Sequence, residues 1–250
     1  MSVFIDRLEK LLKGEYQPIG FGLRQAVSPG KKIQVVACLS QESGDVNDFI
    51  TGADAVLLCT SKADTAAGLI QKITAVSADI PCGIWPGGSG KTEMKQIVKV
   101  KSDFLVFPAA GTPLTAIEGY EGGKIVEVEP SVDAGILRTV NTLPVDAVLI
   151  AGEEKEEDAL TMQQLMVFQR FADIVTKPLL VPVPGKITGK ELLALWEAGV
   201  SGVVLEADGK DRIKKLRQEI DKLEFPSQRR RDRTDVALPR GGRDNTTRIA

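Results

Sequence analysis

Two side chains stand where apolar runs of the sequence break off, and both could move protons. Glu129 closes the run Ile125–Glu129, and Lys62 lies just beyond the run Ala55–Thr60. A carboxylate so placed can act as general acid or base, and a lysine can donate a proton. The plainer roles are a strand-edge partner for Glu129 and a solvated first-turn lysine for Lys62. A Schiff-base lysine projects from a strand, and none of the apolar runs contains one. The chain has no histidine, which removes the commonest general base and the commonest transition-metal ligand together. Cys38, Cys59 and Cys82 form no CxxC pair and lie in apolar runs, so three reduced thiols packed as small hydrophobes are expected. Zinc sites of the Cys/His type are excluded, and no metal site is assigned.

Two further segments invite a ligand. Pro86-Gly87-Gly88-Ser89-Gly90-Lys91-Thr92 ends like a P-loop, but the glycine needed five positions before Gly90 is Trp85. A flexible connector, with a mobile lid or an anion nest edged by Lys91 as the alternative, fits this loop better than nucleotide hydrolysis. Glu153-Glu154-Lys155-Glu156-Glu157-Asp158 could gather Mg²⁺ or Ca²⁺, yet it lacks EF-hand spacing and reads as a hydrated loop.

The elements that must hold these residues are regular. Eight short apolar runs recur: Ile33–Ser40, Ala55–Thr60, Cys82–Pro86, Phe104–Pro108, Ile125–Glu129, Ala147–Ala151, Leu179–Pro184 and Gly202–Glu206. Most are continuously hydrophobic, as strands covered on both faces are; Val126-Glu127-Val128-Glu129 alternates instead. Helical periodicity follows the second, third, fifth, sixth, seventh and eighth runs, while Pro113–Glu118 after the fourth is too short for a full helix. Ser61–Asp64 and Thr188–Glu191 read as capping boxes, and Ser131 as an N-cap. The even runs are approached by Asp54, Asp103, Asp146 and Ser201, at intervals of 49, 43 and 55 residues. That spacing predicts four (βα)2 units closing an α/β (β/α)8 barrel over 1–225, with an open doubly wound sheet as the alternative. Within 1–32, Phe4, Leu8, Leu11 and Leu12 mark an N-terminal helix and connector expected to cover the barrel bottom.

Function on such a barrel belongs to the loops at the C-terminal ends of the strands. There Gly185-Lys186-Ile187-Thr188-Gly189-Lys190-Glu191-Leu192 and Trp196-Glu197-Ala198-Gly199-Val200-Ser201-Gly202-Val203-Val204 resemble the closing units of phosphate-binding TIM barrels. That is the ribulose-phosphate-binding class, including phosphoribosylanthranilate isomerase and thiamine-phosphate synthase. The resemblance implies a phosphate held by Gly185, Lys186, Thr188 and Gly209, through backbone N–H groups and a helix N-terminus. Two departures stand out: Lys186 replaces the usual second glycine, and Glu206-Ala207-Asp208 replaces Gly-Ser/Thr-Ala, bringing carboxylates toward the anion. The resemblance covers about 35 residues, part of it generic to any βα unit.

Composition sets the remaining bounds. Hydrophobic residues make up 43% of the 250 and charged residues 26%, as in ordinary globular proteins. No apolar run reaches the roughly 18 residues of a membrane span, and Met1–Arg7 has no signal-peptide core, so a cytoplasmic location is expected. Residues 226–250 hold seven of the 32 basic residues and three of the 34 acidic ones, a net of +4, leaving −6 on 1–225. This tail is read as disordered and solvated; nucleic acid, anionic membrane or an acidic partner would engage the chain only there. Besides an anion-binding adaptor working through this tail, two functions remain open. One is a lyase, isomerase or synthase acting on a small phosphorylated metabolite, with Glu129 and Lys62 transferring protons. The other is a catalytically silent barrel that binds or scaffolds, favoured by the missing histidine and the altered turn. Assembly into homo-oligomers is compatible with either, and the sequence identifies no organic cofactor.

Overall fold

In the computed structural model the described residues are 2–13, 32–40, 46–87, 91–152 and 159–225. The eight apolar runs become eight parallel strands: β1 (Gln34–Leu39), β2 (Ala55–Cys59), β3 (Cys82–Trp85), β4 (Phe104–Pro108), β5 (Gly123–Val128), β6 (Ala147–Ile150), β7 (Leu179–Pro182) and β8 (Gly202–Glu206). They pair in sequence order, and β8 returns to β1 in the register Gln34↔Gly202 to Cys38↔Glu206, so the sheet is a closed barrel. The fold is a (β/α)8 TIM barrel. The helices are α1 (Val3–Lys13), α2 (Val46–Ile50), α3 (Ala63–Val76), α4 (Lys91–Ile97), α5 (Leu114–Ile117), α6 (Ala134–Thr139), α7 (Met162–Ile174), α8 (Gly189–Glu197) and α9 (Arg212–Lys222). As expected, α5 after the fourth strand is a single turn.

Side chains alternate across each strand, and both sides are apolar because both are covered. Val36, Leu57, Val106, Ile125, Leu149 and Val204 fill the barrel interior. Val35, Leu105, Val148, Val181 and Val203 face outward into the layer under the helices. This double burial explains why period-2 alternation is missing from most of the runs.

The repeated polar residue before each even strand has a common task. Asp54 accepts a hydrogen bond from Val35 N (2.8 Å), Asp146 from Lys124 N (2.7 Å) and the Ser201 hydroxyl from Leu179 N (3.4 Å). Each side chain thus satisfies a backbone donor near the start of the preceding strand. Asp103 is turned to another use. Its carboxylate accepts from Val3 N (2.8 Å), Phe4 N (3.0 Å) and the Ser2 hydroxyl (2.7 Å), capping α1. So held, α1 inserts Phe4, Ile5 and Leu8 into the interior, with the Phe4 ring 4.8 Å from that of Phe104. Gly123 permits this approach, since a Cβ there would lie 2.5 Å from Ile5 Cγ1. The N-terminal helix is therefore the floor of the barrel, as its amphipathic pattern suggested. Beside it, Arg217 of α9 forms a buried ion pair with Asp54 and donates to Gly52 O at 3.1 Å.

Three local expectations are corrected. The N-cap of α6 is Asp133, whose carboxylate accepts from Gly135 N and Ile136 N; Ser131 lies too early in the chain. Ser61–Asp64 forms no capping box: Lys62 is the N-cap of α3 and makes no side-chain cap. Cys38 and Cys59 are joined in a disulfide rather than being separate thiols. The reason is topological. β1 and β2 are neighbours, both side chains face the interior, and their Cα atoms are 6.6 Å apart, within disulfide reach. The Thr188–Glu191 capping box is present, and Thr161–Gln164 forms a second at α7. Most of the connector before β1, the centre of the Gly87–Lys91 loop, the acidic run 153–158 and the tail 226–250 lie outside the described residues.

Candidate active site

The strands' C-terminal ends open onto a mouth whose inward positions differ from the apolar interior below. Trp85, the last residue of β3, donates its indole N–H to Glu127 Oε2 at 3.0 Å. Glu127 belongs to β5, and β4 runs between the two strands. Their side chains meet because alternate strands supply the same layer of a barrel interior. Burial pushes the Glu127 carboxyl above its ordinary range; the Trp85 hydrogen bond opposes this, and the nearby charge of Glu129 adds to it. The result is a carboxyl that holds its proton to higher pH than a solvated glutamate, the property of a general acid.

The sequence pointed to Glu129. It lies one residue beyond β5, exposed at the rim, and its influence on Glu127 is electrostatic. Glu127 was the residue passed over, although the Val-Glu-Val-Glu alternation was the available sign: residues two apart in a strand share a face, so a glutamate pair marks one polar side. Lys62 is exposed at the start of α3, its backbone N–H donating to the Thr60 hydroxyl at 3.3 Å. Glu206 ends β8 in register with Cys38 and is exposed.

The corner formed by the β7–α8 and β8–α9 loops holds the positions that resemble a phosphate site. Arg212, the first residue of α9, lays its guanidinium against Gly185, where a Cβ would overlap it. The same guanidinium pairs with Asp208, and Arg212 N donates to Gly209 O at 3.4 Å. Space is open around Gly209. Asp211, between them, adopts a left-handed conformation at φ 60°, a sparsely populated region for a residue with a side chain. Arg212 thus links Gly185 with Gly209, and no spacing rule in the sequence marked it. Lys186 is exposed on the same loop as Gly185.

Thr188 is engaged elsewhere. Its N–H and hydroxyl both donate to Glu191 Oε2 at 2.7 Å, and Glu191 Oε1 accepts from Leu160 N at 3.0 Å. Burial tends to raise the Glu191 carboxyl, but hydrogen bonds from the Thr188 hydroxyl and from the N–H groups of Thr188 and Leu160 outweigh it and hold it below the usual range. The start of α8 therefore already carries a carboxylate.

Between these two regions, Pro130, Ala151, Pro182 and the α7 residues Gln163, Gln164 and Phe168 line a cavity of about 30 Å³. That is room for one or two waters. Among the described residues, no group of three or more His, Cys, Asp or Glu side chains is placed to hold a metal ion. No described helix is long and apolar enough to cross a membrane.

No family model matches the chain, and no curated protein sequence does. Solved structures do. A mutant tryptophan synthase alpha-subunit from the hyperthermophile Pyrococcus furiosus aligns at TM-score 0.55 and 11% identity, over 76% of this chain and 97% of that one. Thiamine phosphate pyrophosphorylase from Pyrococcus furiosus aligns at TM-score 0.55 and 13% identity, over 77% and 95%. The tryptophan synthase complex from Pyrococcus furiosus aligns at TM-score 0.55 and 10% identity, over 76% and 97%. At such identities the likeness is one of fold.

Proposed function

We propose that this barrel is an enzyme, a lyase, isomerase or synthase, acting on a small phosphorylated metabolite laid across its mouth. The phosphate sits at the Gly185–Gly209–Arg212 corner, with Lys186 as a second cation, and Glu127 delivers a proton to the reacting end. The observation that carries this reading is the Arg212 guanidinium seated on Gly185. A planar fork of donors matches phosphate oxygens, and the lack of a side chain at residue 185 leaves that fork its place. Asp208 is the partner of Arg212, and an incoming dianion would take over from it. Trp85 fixes Oε2 of Glu127, leaving Oε1 to face the substrate with the proton. Burial keeps that proton bound, with the charge of Glu129 adding to it, and Lys62 supplies a further polar group at the rim. Structural neighbours that are enzymes, one named for thiamine phosphate, support the class without fixing the reaction.

One observation favours a second reading, a silent binding barrel: Asp208 already neutralises Arg212, and Glu191 already occupies the start of α8. Thermal unfolding of the full chain with ribose 5-phosphate and with glycerol 3-phosphate tests the first reading. A ligand at about one hundred times its Kd stabilises by about 2.7 kcal/mol, a rise of several degrees for a chain of this size. Arg212→Ala should abolish that rise. If no phosphorylated compound raises the wild-type Tm, the metabolite reading fails.

A further inference from the structure

We propose that the Cys38–Cys59 disulfide is a reversible redox couple of the barrel mouth, opened and closed by thiol–disulfide exchange with dithiol reagents that reach Cys59. The proposal stands whether or not the mouth takes a phosphorylated ligand.

The bridge joins two strands that need no joining in the folded protein. β1 and β2 are already paired from Val36↔Ala55 to Leu39↔Leu58. Its two sulfurs differ in access. Cys38 is only 3% exposed and is packed among the apolar side chains of the interior. Cys59 is the last residue of β2, half-buried, and lies beside Trp85 in the β2–β3 register. A nucleophile arriving from the mouth therefore meets Cys59 first. The third cysteine does not compete: Cys82 is buried among outward-facing side chains, and burial, with the charge of Asp103 adding to it, pushes its thiol up to about 12. Thiolates, not thiols, carry out exchange, so chemistry is confined to the pair.

The steps balance with a dithiol as reductant. One reagent thiolate attacks Cys59 Sγ, the Cys38–Cys59 bond breaks, and Cys38 leaves as a thiolate that takes a proton from solvent. The second reagent sulfur, as thiolate, then attacks the reagent sulfur bound to Cys59. The reagent departs as a cyclic disulfide, and Cys59 leaves as a thiolate that is likewise protonated by solvent. Two electrons pass from reagent to protein, and oxidised reagent reverses the sequence. Once the bond is gone the two sulfurs must move apart to non-bonded contact. Cys38 is enclosed by the interior cluster, so the motion falls to Cys59, on the side where Trp85 stands. Trp85 should report the change, because a disulfide quenches a neighbouring indole by accepting its excited electron. Trp196 lies on the helix side of the sheet against Phe225, rings 5.4 Å apart, and supplies a constant background.

The test uses the full native chain, incubated with dithiothreitol, alkylated, and mapped by mass spectrometry. The expected result is labelling of Cys59 after reductant, little labelling before it, and labelling of the buried Cys38 and Cys82 only when the reduced chain is then denatured. Tryptophan emission should rise on reduction and fall again with oxidised dithiothreitol, and Trp85→Phe should remove that change. Two results would overturn the proposal. One is a bridge that dithiothreitol opens only after denaturation, which would make it a buried staple. The other is free labelling of Cys59 in native protein never exposed to reductant and treated with oxidised dithiothreitol.

Discussion

The Trp85 indole donates to Glu127 Oε2 at 3.0 Å across the mouth of the barrel, from β3 to β5, over the intervening β4. This contact sets apart the two carboxylates of the Val-Glu-Val-Glu segment. Glu127 is held inside with one oxygen fixed, while Glu129 reaches it only through charge. Trp85→Phe keeps an aromatic ring and removes the donor. It should cost about 1 kcal/mol in urea denaturation. It should also raise the Glu127 carboxyl further, since the hydrogen bond is what draws it down; the side-chain carboxyl resonance of Glu127 followed against pH measures this.

Stability should depend on pH through the same residue, with a definite sign. A carboxyl raised on folding binds its proton more tightly in the native state. Its contribution is therefore complete below the ordinary value of 4.5 and is lost as pH rises through the higher native value. Glu127→Gln removes this loss. Its unfolding free energy should fall less between pH 4.5 and 7 than that of the wild type. A variant curve parallel to the wild type over that window would contradict the assignment.

Glu191 has the opposite sign. Its carboxyl is lowered on folding, so its contribution is present above 4.5 and lost as pH falls below it. Thr188→Ala removes both the cap and the donor hydroxyl. It should cost about 1 kcal/mol near neutral pH and less in acid well below the ordinary carboxyl range, as read by denaturant titration.

Asp103 is the tie between floor and wall. Asp103→Ala deletes three hydrogen bonds that cap α1. A loss of about 2–3 kcal/mol is expected, with hydrogen exchange accelerated in Phe4–Leu8 before the strands are affected. Exchange rising uniformly through the barrel would mean that α1 is not a separable floor.

Gly185→Ala tests the corner from the other side. The added methyl must displace the Arg212 guanidinium, which is flexible, so stability should change little. Affinity for ribose 5-phosphate should fall about tenfold or more, as expected for losing a charge-assisted hydrogen bond.

Much of the barrel was legible because its physics is local. Strands buried on both faces must be apolar throughout, so eight runs such as Ala55–Thr60 and Phe104–Pro108 stand out from amphipathic helices. Asp54 and Asp146 repeat because they meet equivalent backbone donors, Val35 N and Lys124 N; Asp103 shows that such a repeat survives even where one copy is diverted. The site was less legible. The pairing of Cys38 with Cys59 depends on two neighbouring strands facing their side chains the same way, across a separation of 21 residues. The different surroundings of Glu127 and Glu129 depend on where β5 ends, which is set by its pairing with β4 and β6. Arg212 acts on Gly185 through a crossover that no sequence spacing encodes.

The most direct measurement is an NMR titration of the full chain with ribose 5-phosphate, following the Arg212 Nε–H signal and the backbone amides of Gly185 and Gly209. All three should shift together and saturate at one concentration, with the amides at the floor, Phe4 to Leu8, unmoved. A bound phosphate that perturbs only residues away from this corner, or no saturable shift at any of the three, would contradict the account.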